Sequence, residues 1–86
     1  MSPPLSFRVM VTSAWDEVKL DLPPETPLAE VKKRALAVTR VTGDPADYIV
    51  KYRGAQLFEE NRSLADLGVV RNAALIMLPR KRQPVR

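Results

Sequence analysis

VKLDLPPETPLAEVK, residues 18–32, is the stretch on which the fold turns. Val18, Leu20 and Leu22 alternate with Lys19 and Asp21, the period-two pattern of a strand with one buried face. Pro23 and Pro24 follow, and neither can donate a ladder hydrogen bond, so the strand stops there. Thr26-Pro27 reads as an N-cap followed by proline at the first helical position. Leu28, Val31, Ala35 and Val38 then recur at three- and four-residue spacing, with Glu30, Lys32, Lys33 and Arg34 mostly off that stripe. An amphipathic helix packed on a sheet is the expected result. Thr39, Thr42 and Gly43 weaken the helical pattern and Asp44-Pro45 marks a turn, which ends the helix near Val38 to Arg40.

Upstream, Phe7, Val9 and Val11 alternate with Arg8, Met10 and Thr12, giving a first strand that forms a hairpin with the second across Ser13 to Glu17. Downstream, Tyr48, Val50 and Tyr52 share one face and Ile49, Lys51 and Arg53 the other, before Gly54 permits a tight turn. Gln56 to Phe58 reads as a short edge strand. Ser63 to Gly68 reads as a single helical turn closed by glycine, and Ala73 to Leu78 as a last strand ended by Pro79. The expected organisation is an N-terminal extension at 1–6, one domain at 7–79 and a basic, disordered tail at 80–86.

Composition narrows the function. A chain of 86 residues makes one domain, burying only roughly 60 to 65 % of its unfolded surface. It has no cysteine and no histidine, which removes disulfides, the thiolate nucleophile and the commonest general base. No apolar run approaches the ~18 residues of a membrane span and no leader pattern opens the chain, so a cytoplasmic address is the expectation. The net charge of +4 comes entirely from Arg80, Lys81, Arg82 and Arg86, because residues 1–79 carry ten basic and ten acidic side chains. The domain body is neutral.

Three segments together resemble the ubiquitin-like family over about residues 7–80. Residues 18–32 resemble its second strand and helix entry, Tyr52-Arg-Gly-Ala-Gln-Leu its F/Y-x-G-x-x-L turn, and Arg62-Ser-Leu-Ala-Asp-Leu-Gly-Val its R-T/S-L-x-D-Y/L-x-I/V segment. The resemblance implies an α+β, ubiquitin-like β-grasp fold: a mixed four- to five-stranded sheet packed on one α-helix. It also implies a point of departure. Conjugation in this family uses a carboxyl-terminal Gly-Gly, whereas the matching end here reads LPRKRQPVR and Gly43, Gly54 and Gly68 are isolated and internal. Neither conjugation nor thiocarboxylate sulfur carriage is therefore expected.

The family's docking surface is an aliphatic cluster on the exposed sheet face, and here it is rearranged. Lys51 falls where the resemblance places a central isoleucine, while Ile49, Ile76, Leu78 and Met10 take neighbouring outward positions. With β-grasp strand order these four become contiguous and are ringed by Arg8, Lys51 and Arg53. An apolar cluster with a charged rim is the mark of a protein contact, against which stands ordinary surface or a patch covered by the tail. Trp15 at the hairpin tip reads either as a binding anchor or, by its parity with Phe7, Val9 and Val11, as a lid over the core edge. Glu59-Glu60 and Asp44 with Asp47 read as solvated loop charge.

The expected function is that of a non-catalytic, non-conjugated adaptor that binds another protein through Met10, Ile49, Lys51, Ile76, Leu78 and Trp15, with no cofactor, metal or small-molecule substrate and no membrane insertion. The runner-up is a weak binder of nucleic acid or anionic surfaces through Arg80, Lys81, Arg82 and Arg86, although four charges without an interleaved aromatic argue against nucleic acid. A weak patch-to-patch homodimer is a third reading. The small ubiquitin-like accessory proteins of bacterial type VII secretion are similar in length and also lack Gly-Gly. Arginine exceeds lysine nine to five, as in GC-rich bacterial genomes.

Overall fold

The computed structural model describes residues 3–80. Seven elements follow in chain order: β1 (Leu5–Val11), β2 (Asp16–Leu22), α1 (Leu28–Thr39), a 3-10 turn (Pro45–Asp47), β3 (Tyr48–Tyr52), β4 (Ala55–Gln56) and β5 (Ala74–Pro79). They form a five-stranded mixed sheet in the order β2-β1-β5-β3-β4, with α1 across one face. β1 and β2 are an antiparallel hairpin, β5 lies parallel to β1, and β3 is antiparallel to β5. This is an α+β β-grasp. β1 begins at Leu5, paired with Leu22, so pairing enters the segment expected to be an extension.

The core is built from alternate strand residues: Phe7, Val9 and Val11 from β1, Val18, Leu20 and Leu22 from β2, Tyr48 and Val50 from β3, and Leu75 and Met77 from β5. Against them α1 buries Leu28, Val31, Lys32, Ala35 and Leu36. Two expectations are corrected here. Val38 is 58 % exposed and Leu36 is buried in its place. Both lie about 80° from Leu28 around the helix, on opposite sides, so the tilt of α1 on the sheet chooses between them. Lys32, expected off the stripe, is 1 % exposed.

The start of α1 also differs from expectation. Pro27 is the N-cap, no side chain caps the helix, and Thr26 plays no such part. Instead the loop before residue 63 supplies backbone acceptors: the Leu28 N–H donates to Arg62 O (3.1 Å) and the Ala29 N–H to Glu60 O (2.9 Å). Tertiary carbonyls thus satisfy donors that a local cap would otherwise take. One turn further on, Lys32 Nζ donates to both carboxylate oxygens of Glu60 at 2.8 and 2.7 Å. Glu60 is therefore no solvated loop charge but half of a latch between helix and loop. The turn at Ser63–Gly68 closes with Val69 N–H to Leu64 O and Gly68 N–H to Ala65 O, the paired bonds of a Schellman motif, with Gly68 at φ 78°. Arg40 closes α1 in the same way at φ 58°.

Candidate functional site

The outer face of the sheet follows from register. Arg8 lies beside Ala74 and Met10 beside Ile76 across the β1–β5 ladder. Ile49 lies beside Leu78 and Lys51 beside Ile76 across β3–β5. Met10, Ile76, Lys51 and Gln56 therefore form one cross-strand row, with Glu17 completing it on β2. Leu78 and Ile49 form the next row toward the hairpin tip. The fold brings together all four aliphatic residues that the ubiquitin-like resemblance places on the outer face. Ile76 is 46 % exposed; Met10, Ile49 and Leu78 are half-buried, each shielding its neighbours while keeping a solvent-facing edge.

The rim departs from expectation at one residue. Arg53 and Gly54 both have positive φ, 55° and 81°, and join Tyr52 to its partner Ala55 as a two-residue hairpin loop. Arg53 is thus a turn residue, with its guanidinium 5.2 Å from the centroid of the Tyr52 ring, a cation–π contact. Because Tyr52 belongs to the inward parity of β3, this draws Arg53 off the outer-face rim. Arg8 and Lys51 remain exposed there, joined by Lys19, which stands directly opposite Arg8.

Trp15 does not fold over the core. The turn after β1 places it at φ 50° and leaves it 83 % exposed, because the tight Thr12–Trp15 reversal breaks the alternation on which its parity was counted. The tip is tied to the start of β3 by the Tyr48 hydroxyl and Ser13 Oγ at 3.4 Å. Since β5 runs parallel to β1 and ends here, Trp15, Ile49 and Leu78 share one end of the sheet. Alternation also missed Phe58: β4 ends at Gln56 and Phe58 is 76 % exposed in the following loop.

Arg80 is not part of a loose tail. Its N–H donates to Asp47 O (2.6 Å) and its guanidinium Nη2 to Ala46 O (3.4 Å), extending the β3–β5 ladder by one rung. Lys81, Arg82 and Arg86 lie outside the described residues. Asp44 accepts from the Ala46 N–H and caps the 3-10 turn, a structural use of a carboxylate first read as solvated. No helix among the described residues is long and apolar enough to cross a membrane.

No protein-family model matches this chain, and no curated protein matches it. Its likeness is to solved structures. A ubiquitin from Caldiarchaeum subterraneum superposes with a TM-score of 0.75 at 16 % identity, over 94 % of this chain and 99 % of that one. A designed protein based on ubiquitin gives 0.80 at 19 % identity over all of both chains. The ubiquitin-like domain of an Arabidopsis thaliana protein gives 0.78 at 12 % identity, over 99 % of this chain and 86 % of that one. At such identities the likeness is one of fold: this chain has a ubiquitin-like β-grasp fold.

Proposed function

We propose that this protein is a non-catalytic interaction module that docks another protein on the outer face of its sheet. The observation that carries the reading is the cluster Met10, Ile76, Leu78 and Ile49, contiguous across β1, β5 and β3, with Arg8, Lys19 and Lys51 around it. An apolar centre with a polar rim is how protein interfaces are built: the centre supplies desolvation and the rim supplies orientation. Trp15 stands at the same end as Leu78 and would add a large amphipathic contact at little entropic cost. The ubiquitin-like accessory proteins of bacterial type VII secretion offer a precedent for such a role.

The test compares wild type with Ile76→Asp as baits against lysate of the source organism, followed by titration of each purified capture. Ile76 is among the more exposed of the four, so the carboxylate meets solvent in the free protein and is buried only on docking. A partner that binds wild type and loses at least tenfold in affinity to Ile76→Asp, while both baits melt alike, is the expected result. Equal affinity for both sinks the sheet-face reading and shifts attention to Trp15 and Phe58.

A further inference from the structure

We propose that Arg8 and Lys19 form a carboxylate clamp that reads an acidic side chain on the segment docked at the apolar end of the sheet face. This deepens the sheet-face reading and rests on it. The two cations are directly opposed across the hairpin. The Arg8 N–H donates to Ala73 O on the β5 side, so its backbone bonds point away from β2. Arg8 and Lys19 are therefore a non-hydrogen-bonded pair, the arrangement that brings opposite side chains closest in an antiparallel ladder. Like charges so placed repel one another. Neither cation takes part in an ion pair among the described residues, whose salt bridges are Lys32–Glu60, Arg34–Glu30 and Arg62–Glu59. An oxyanion between them would convert that repulsion into two charge-assisted hydrogen bonds.

The surroundings favour such a guest. Arg8 and Lys19 line a concavity with Ser6, Phe7 and Asn72. Asn72 is held at φ 67° with its backbone N–H donating to Ser6 O (2.6 Å), which fixes its main chain at the rim of that concavity. Across β1 the neighbour of Arg8 is Ala74, too small to fill the space above the ladder. Glu17 and Asp21 flank Lys19 along β2, and the Ser6 hydroxyl donates to Asp21. That mixture of signs disfavours a polyphosphate backbone, which needs an unbroken run of cations. Position supplies the link to the apolar end: Arg8 precedes Met10 by two residues and Ala74 precedes Ile76 by two. The clamp and the aliphatic row are thus about 7 Å apart along the strands. A partner strand with an acidic residue two positions from an aliphatic one would fill both.

The probe is the peptide acetyl-Glu-Gly-Leu-Gly-Leu-amide, its Gln-for-Glu counterpart and an eight-residue oligothymidylate, each titrated into the 15N-labelled full chain and followed by backbone amide shifts. The expected result is saturable shifts at Arg8, Lys19 and Asn72 together with Met10 and Ile76. Affinity should fall at least threefold for the Gln peptide, and that difference should vanish in Arg8→Gln/Lys19→Gln and in 0.5 M salt. The double variant should melt at or above the wild-type temperature, which separates lost binding from lost folding. Shifts at Met10 and Ile76 that are equal for both peptides overturn the clamp and leave the sheet-face reading standing. Glu-dependent shifts confined to Arg8, Lys19 and Asn72 leave an isolated anion contact, which overturns the link between clamp and apolar end and counts against the sheet-face reading. Silence at both ends overturns both, and tighter binding of the oligothymidylate at the same amides overturns the carboxylate assignment.

Discussion

Removing either half of the Lys32–Glu60 latch should have unequal consequences, and the asymmetry follows from burial. The Lys32 side chain is 1 % exposed, whereas Glu60 retains 29 %. Glu60→Gln leaves a buried ammonium facing a neutral amide. Breaking a fully buried ion pair by removing one partner costs about 3 to 5 kcal/mol. Solvent access at Glu60 lowers that to about 2 to 3 kcal/mol, since surface pairs contribute little. For a domain of this size that corresponds to a fall in melting temperature of about 10 to 20 °C. Lys32→Met keeps the aliphatic stem in its packing and leaves behind a carboxylate that water can reach, so stability should stay within about 1 kcal/mol of wild type. The double variant should resemble Lys32→Met, with most of the Glu60→Gln loss recovered. Urea denaturation of the four proteins checks this as a double-mutant cycle. Equal losses in both single variants, or a silent Glu60→Gln, would refute the argument that the buried ammonium is the costly partner.

Other outcomes follow from the same structure. Arg8→Gln, or Lys19→Gln, should raise stability by about 0.2 to 1 kcal/mol by removing a directly opposed like-charge pair, read from denaturant midpoints in low salt. Gly68→Ala should cost about 1 to 2 kcal/mol, although an added Cβ would meet nothing within 4 Å, because the penalty lies in the positive φ. Arg40→Gly should gain about 0.5 to 1 kcal/mol at the equivalent position ending α1, seen as a rise in melting temperature. Leu64→Ala, at a fully buried side chain, should cost about 2 to 5 kcal/mol by thermal or urea melting.

Much of the architecture was legible along the chain. Period-two alternation at 7–11, 18–22 and 48–52 marked the strands and their inner faces, because a strand's side chains alternate whatever it pairs with. The Pro23-Pro24 stop, the Asp44-Pro45 turn and Gly68 act through local backbone chemistry and needed no tertiary context. Alternation put Met10 and Ile49 on the outward side, and the ubiquitin-like resemblance added Ile76 and Leu78.

What needed the folded molecule was every relation between distant residues. Lys32 lies at the i+4 position from Leu28, within the apolar stripe, but its charge disguised it until the chain 28 residues later delivered Glu60 as a counter-ion. The helix cap was invisible for the same reason, since its acceptors are carbonyls of the 60–62 loop and not a neighbouring side chain. Alternation leaves Trp15 open between an exposed anchor and a lid over the core edge and puts Arg53 on the outer rim, because tight turns with positive φ reset the side-chain direction that strand counting assumes. The opposition of Arg8 to Lys19 depends on hairpin register, and the contiguity of the apolar face on β5 lying between β1 and β3. Sequence determined which face each strand buries, because strand alternation depends on spacing alone; tertiary structure decided the edges of the helix's buried stripe, which charges are paired and which surfaces meet, because those depend on chain segments far apart in sequence.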